Sequence, residues 1–238
     1  LKLNTSKTKY IIFKPINKLD CSPISLKFED TVLEQVSEQK FLGVWFTEDL
    51  SWNTHVNKLK GESSRVTGSI YKIRNLLPTW LKQTLYYSLF YSKISYGILV
   101  WGTTINSNYV KLITLQKRIL RMCENYKGDI RNIRTKPLFI KYNMLQADQI
   151  YYFKLLQWIH KHRIYSTPKS SLGPYQLRDP KRRTPSIRTS YGRTALSYQI
   201  TRMPNRTDMT IDYNKTFYAF KKQCRRFLVG SGISFSVL

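Results

Sequence analysis

Hydrophobic positions recur with two different periods along this chain, and the period changes near residue 50. Before that point, Tyr10 to Phe13 is a short apolar run, and Ile24, Leu26 and Phe28 alternate with Ser25, Lys27 and Glu29. Period two is that of a half-buried strand. Glu29-Asp30-Thr31 supplies a turn, after which Val32, Glu34 and Val36 resume the alternation, so residues 24–36 are expected to form a hairpin. Phe41 to Phe46 is more continuously apolar and predicts a further strand, with Gly43 the place where another backbone can approach.

Beyond residue 50 the spacing becomes three or four. Val56, Leu59, Ser63, Val66, Ile70, Ile73 and Leu77 form one stripe and predict a long amphipathic helix over 55–77. Pro78 and Thr79 end it and start a second helix through Trp80, Leu81, Leu85 and Leu89. Tyr109, Leu112, Gln116, Ile119 and Cys123 mark a third. A basic connector over 128–137 leads to a short helix or turn and then a long aromatic helix ending near Arg163. Residues 164–210 are rich in Pro, Ser, Thr and Arg without a sustained period, and read as an extended or partly ordered basic segment that orders on a partner. A last helix over 215–229 places Phe217, Phe220, Cys224 and Phe227 on one face.

Charge sharpens this division. The formal net charge is +26 over 238 residues, yet residues 1–50 hold 7 Lys, no Arg and 7 acidic residues, so 33 basic and 7 acidic residues lie in 51–238. A field of that size calls for a polyanionic partner. With 42% hydrophobic and 14% aromatic residues, the chain also has enough apolar mass for a packed core, unlike a disordered polycation. The five tryptophans are read mainly as anchors of that core.

Two membrane readings compete with this one. Leu85 to Trp101 is about long enough to span a bilayer, but Lys93 near its centre costs roughly 2.5–3.5 kcal/mol on insertion. The alternative is a surface protein holding anionic lipid with its basic and aromatic faces. Cys21, Cys123 and Cys224 are widely spaced and lack nearby His pairs, so neither a disulfide framework nor a zinc site can be drawn. Free thiols suggest a reducing compartment, cytosol or nucleus, and not secretion. The carboxylates form no general acid/base pair, and no Ser/His/Asp or Cys/His set converges by spacing.

Two short patterns carry a resemblance. LNTSKTKYIIF at 3–13 contains Asn4, Lys7, Thr8 and Phe13, and KFLGVWFTEDLSWNTH at 40–55 contains Lys40, Leu42, Gly43 and Val44. In this order they resemble the last two palm motifs of reverse transcriptases from non-LTR (LINE-type, jockey-like) retrotransposons. YSKISYGILVWG at 91–102 resembles the family's aromatic-Gly, Trp-Gly segment, LQKRILR at 115–121 its LQK..IR helix, and KPLF at 136–139 its PLF turn. RMPNRT at 202–207 and FKKQCRRFL at 220–228 resemble its last elements. The histidine often found before PLF and the Trp-Asn usually placed ahead of the final helix are absent.

The resemblance implies an α+β chain: a small antiparallel β-hairpin edge of a polymerase palm at 1–50, a mainly α-helical thumb at 51–126, and a basic helical C-terminal domain at 127–238. The parent would be an RNA-directed DNA polymerase that partners RNA, DNA and RNA–DNA hybrid. This chain, which opens on Leu1, would be a piece of it, completed by upstream palm and fingers of the same polyprotein. By the same resemblance Lys7 is the catalytic candidate, a lysine that helps protonate departing pyrophosphate. Phe41, Leu42, Gly43 and Val44 would form the primer grip. The aromatic-Ala-Asp-Asp box that holds the polymerase's Mg²⁺ is absent from the sequence, so no cofactor is expected on this piece and no polymerisation by it alone.

The long helix carries a second pattern beside its apolar stripe. Lys58, Arg65 and Lys72 recur every seven residues, and Gly61, Ser64 and Gly68 form a small-residue strip beside them. Mid-helix glycine costs about 1 kcal/mol relative to alanine, so something should compensate. Either the strip lies along the minor groove of a template–primer duplex, with the bases on phosphates, or it packs closely on another helix. The rival to the polymerase reading is a stand-alone basic RNA-binding protein derived from such an element, without catalysis.

Overall fold

A computed structural model describes residues 4, 7–14, 25–28, 31–124, 129, 132–166, 184–206 and 211–231. The architecture is α+β, with short strands first and helices after, and it divides into two compact units, Leu1–Gly61 and Glu62–Leu238. The division falls inside the first helix.

In the first unit, β1 (Lys9–Tyr10) runs parallel to β4 (Glu34–Gln35), pairing Lys9 with Glu34. The Lys9 ammonium lies 2.9 Å from the Glu34 carboxylate across that pair. β2 (Lys27–Phe28) and β3 (Thr31–Val32) form an antiparallel pair with Lys27 opposite Val32. The expected 24–36 hairpin is thus shorter: its described strands end at Val32, and Glu34–Gln35 turns away to join β1. Residues 24, 29 and 30 of that expectation lie outside the described residues.

The larger hairpin joins β5 (Glu38–Phe41) to β6 (Val44–Thr47), with Phe41 opposite Val44. This corrects the single strand expected over Phe41–Phe46. Leu42 and Gly43, with φ of 44° and 82°, are the two central residues of the turn between strands. Positive φ at both positions matches the twist of the flanking strands, the geometry of a type I′ turn. The apolar run conceals the turn because Leu, unlike Asn, Asp or Gly, carries no turn signal. After β6, Leu50 and Trp52 also adopt positive φ, and the Asp49 carboxylate accepts from the Ser51 N–H at 3.1 Å. The Trp52 carbonyl then receives the Val56 N–H at 2.9 Å, opening the first helix. Trp52 packs edge-on against Phe46 at 5.4 Å between ring centres.

α1 (Asn53–Ile73) buries Val56, Leu59, Ser63, Thr67 and Ile70; of the expected stripe, Val66 is half-buried, Ile73 is exposed, and the helix ends there, short of the half-buried Leu77. In the second unit, α2 (Thr79–Leu85) continues through a π-helical turn (Tyr86–Tyr91) into α3 (Ser92–Ser95). Gly97, at φ 59°, then redirects the chain into α4 (Ile98–Trp101). Trp101 is fully buried and its indole N–H donates to the Tyr96 carbonyl at 2.9 Å. At Gly102 a Cβ would overlap the Ile98 carbonyl and the Tyr151 ring, so the aromatic-Gly, Trp-Gly segment is a close-packed corner. Among the described residues no helix is long and apolar enough to cross a membrane.

α5 (Asn106–Cys123), α6 (Lys136–Lys141) and α7 (Ala147–Lys161) follow. α7 packs against α3, α4, α5 and the last helix, α10 (Phe217–Ser231). Ile150, Tyr151, Tyr152, Phe153, Leu155, Leu156 and Ile159 of α7 are all buried, as befits a helix apolar on nearly every side. At its start, Gln146 and Gln149 form a reciprocal cap, and Gln149 Nε2 also donates to the Leu228 carbonyl of α10 at 2.7 Å. Gln116, fully buried on α5, donates to the Tyr86 hydroxyl (2.8 Å) and the Leu145 carbonyl (3.0 Å), and accepts from the Ala147 N–H (2.9 Å). One side chain therefore ties the π turn, the α6–α7 connection and the first N–H of α7 together.

Three further expectations are corrected. Of the segment read as extended or partly ordered, residues 184–206 are not extended but contain α8 (Ser190–Arg193), α9 (Leu196–Arg202) and a short 3₁₀ turn, with Gln199 and Met203 buried; residues 167–183 and 207–210 lie outside the described residues. α10 buries Phe220, Cys224 and Leu228; Phe217, on the same face but the first residue of the helix, is exposed, and Phe227 is half-buried. Trp80, expected as a core anchor, is 66% exposed.

Candidate nucleic-acid interface

The second half of α1 and the flank of α5 enclose a cleft of about 780 Å³. From α1 it is lined by Ser64, Thr67, Gly68 and Tyr71; from α5 by Leu115, Lys117, Arg118, Arg121 and Met122. Lys117 and Arg118 are exposed, and Arg121 is half-buried with its Nε donating to the Ile133 carbonyl at 3.2 Å. Asp129 contributes a carboxylate at the edge of the lining. Alternation of buried and exposed positions on α5 explains the arrangement: Leu115, Gln116, Ile119 and Leu120 go inward, leaving the bases of LQKRILR to face out.

The small-residue strip is solvent-facing. Gly61, Ser64 and Gly68 are exposed, and a Cβ built on either glycine meets nothing within 4 Å. The alternative in which they permit close packing on another helix is therefore not met among the described residues. Arg65 and Lys72 are exposed on the same helix. Lys58 is exposed too, but its ammonium sits 5.1 Å above the Trp45 ring of β6, a cation–π contact inside the first unit. His55 fixes the same strand, its Nδ1 accepting from the Trp45 N–H at 3.4 Å.

The hairpin tip is apolar and outward: Phe41 is 63% and Leu42 74% exposed, while Val44 is buried. A non-glycine residue in the left-handed region costs on the order of 1–2 kcal/mol, so the tip carries strain where an exposed side chain is presented. Lys7 stands apart on the approach to β1. Its N–H donates to the Asn4 carbonyl at 3.2 Å, the Thr8 hydroxyl donates to the same carbonyl at 2.9 Å, and the Lys7 residue is exposed. The described residues of the LN..KT pattern, Asn4, Lys7 and Thr8, are thus hydrogen-bonded to one another.

Sequence reasoning does not single out Lys117, Arg118, Arg121 or Tyr71. The signal for the bases is present in their spacing on the polar side of the third helix. Tyr71 has only its position beside Lys72. Other reactive groups are withdrawn from chemistry: burial pushes the Cys123 thiol up to about 11 and the Cys224 thiol up to about 12. Among the described residues no three His, Cys, Asp or Glu side chains gather as a metal site.

No protein-family model matches the chain, and no solved structure matches it. Two curated relatives do. One, described as a probable RNA-directed DNA polymerase from transposon BS of Drosophila melanogaster, is 28% identical over 127 residues, 51% of this chain and 14% of that protein. The other, a probable RNA-directed DNA polymerase from transposon X-element of the same organism, is 22% identical over 181 residues, 74% of this chain and 20% of that protein. The chain is thus related in sequence to transposon reverse transcriptases, and it spans a fifth or less of the length of these relatives.

Proposed function

We propose that this chain is the primer- and duplex-gripping part of a retrotransposon RNA-directed DNA polymerase. The observation that carries the reading is the open small-residue strip on α1, flanked by exposed bases, in a chain related to such polymerases. The strip lies along the minor groove of the template–primer hybrid, where absent side chains let the helix approach the sugars and Arg65 and Lys72 meet phosphates. Residues 1–50 act as the palm edge, 51–126 as the thumb, and 127–238 as a basic C-terminal domain. Lys7 serves the palm as the proton donor to departing pyrophosphate, with Mg²⁺ held by carboxylates supplied elsewhere in the polymerase.

The exposed Phe13, Leu26, Phe28 and Val32, on or beside the small strands of the first unit, support a further palm and fingers as its partner, since exposed apolar side chains gain by being covered. The reducing cytosol and nucleus are the compartments for this work.

The test separates stability from binding by sign. Gly61→Ala and Gly68→Ala each stabilise α1 by about 1 kcal/mol, because alanine is the better helix former and its Cβ meets open space. The same methyls hold the hybrid away. Thermal unfolding and fluorescence anisotropy on a blunt RNA–DNA hybrid should therefore move in opposite directions, a higher midpoint with weaker binding. Unchanged hybrid affinity in the double variant would refute the minor-groove placement.

The hairpin gives a companion result. Leu42→Asn relieves the left-handed strain at the first turn position, where Asn is favoured. Amide exchange of β5 and β6 should slow. Capture of a recessed primer 3′ end should weaken, because the exposed leucine is removed; tighter capture would exclude the tip from the grip.

A further inference from the structure

Deepening the reading above, and resting on it, we infer that the cleft between α1 and α5 receives an unpaired stretch of the nucleic acid, with a base stacked on Tyr71. At about 780 Å³ the cleft is of the size that holds a drug-sized ligand, enough for a nucleotide or two, and it lies between two helices rather than on a convex face. A double helix lies along the strip of α1, whose Ser64 and Gly68 also form the near edge of the cleft; a single strand can pass further in, to Tyr71.

Tyr71 is 50% exposed and lines the cleft. Its ring is already covered on one side, because the Arg74 guanidinium carbon lies 3.8 Å from the ring centre and Arg74 Nη1 donates to the Tyr71 carbonyl at 2.8 Å. The guanidinium fixes the ring before any ligand arrives, so little side-chain entropy remains to be lost on stacking. Every nucleobase has a π-face, and base–aromatic stacking beside a cationic groove is the usual way an unpaired strand is held without regard to sequence. Lys117 and Arg118 supply the groove, exposed on the opposite wall and matched in sign to a phosphate backbone. Gly68 leaves the α1 wall low enough for a strand to pass from the duplex into the cleft.

The experiment uses the whole chain, with Tyr71→Ala and Tyr71→Phe, helicity being checked by circular dichroism. Anisotropy is measured with a labelled oligouridine and with a blunt RNA–DNA hybrid of the same length. Tyr71→Ala should weaken oligouridine binding by roughly 5- to 150-fold and leave hybrid binding unchanged, while Tyr71→Phe retains both. Equal loss on the two probes, no loss on oligouridine, or a Phe variant as damaged as the Ala variant each overturns the inference. A wild-type chain that holds oligouridine but not hybrid overturns the duplex reading and leaves the stacking site standing. A chain that binds neither overturns both.

Discussion

Raising salt from about 50 to about 200 mM lowers the affinity of this chain for a template–primer hybrid by about 10³- to 10⁵-fold. The expectation follows from where the charge lies: the whole excess of +26 falls in residues 51–238, which include α1 and α5. Each phosphate neutralised by Lys or Arg releases condensed counterions, so six to ten such neutralisations, roughly what a duplex surface of this kind engages, give that decrease. A plot of log affinity against log salt measures the number directly. Replacing Arg65 or Lys72 by Ala should flatten the slope by about 1 for each phosphate that is no longer neutralised. A slope near zero would mean that the positive charge serves solubility or another partner, and the duplex reading would fall with it.

Gln116→Leu should cost about 3–5 kcal/mol of folding stability, a large part of the 5–15 kcal/mol typical of a domain. Leucine fits the space and keeps the apolar stripe of α5, so the cost is one of hydrogen bonds. The Tyr86 hydroxyl, the Leu145 carbonyl and the Ala147 N–H are left without this partner in a site that is fully buried at Gln116, each at about 1–3 kcal/mol. Gln157→Leu is the control, since its Nε2 bonds to the Phe153 carbonyl of its own helix and the site is half-buried. Urea unfolding of the two variants decides the matter. A midpoint shift for Gln116→Leu no larger than for Gln157→Leu would show that the three-way tie contributes little.

α1 and α5 are legible in the sequence because burial imposes their period, whereas on α2 and the π turn the buried face is Lys82, Tyr86 and Phe90 rather than the expected Trp80, Leu81, Leu85 and Leu89. Val56, Leu59, Ile70, Leu112 and Ile119 fall where the stripe requires. The hairpin tip is hidden because Leu42 obeys the hydrophobic pattern while defying turn chemistry, and a pattern reading sees only the first. α9 is hidden because Pro, Thr and Arg around it lower the helical signal that Gln199 and Met203 recover by packing. The cleft is illegible for a different reason: α1 and α5 each show a polar face, but nothing in a sequence says which polar faces lie side by side. LQKRILR is recognisable as a string. The structure divides it into an inward Leu115, a hydrogen-bonding Gln116 and outward bases, three physical roles in consecutive positions.

The end of α5 has an electrostatic consequence for its neighbourhood. Met122, a residue of the cleft wall, and Cys123 belong to the last turn of α5, where unpaired carbonyls amount to about half a negative charge. An anion approaching Lys117 and Arg118 would meet that opposing field within a turn of the helix. Lys82, only 1% exposed, donates its ammonium to the Met122 carbonyl at 3.1 Å, and the Thr79 hydroxyl donates to the Cys123 carbonyl at 3.1 Å. The Lys82 ammonium and the Thr79 hydroxyl thereby offset the negative end of the dipole beside the cleft, where Asp129 is the one carboxylate among the lining residues described.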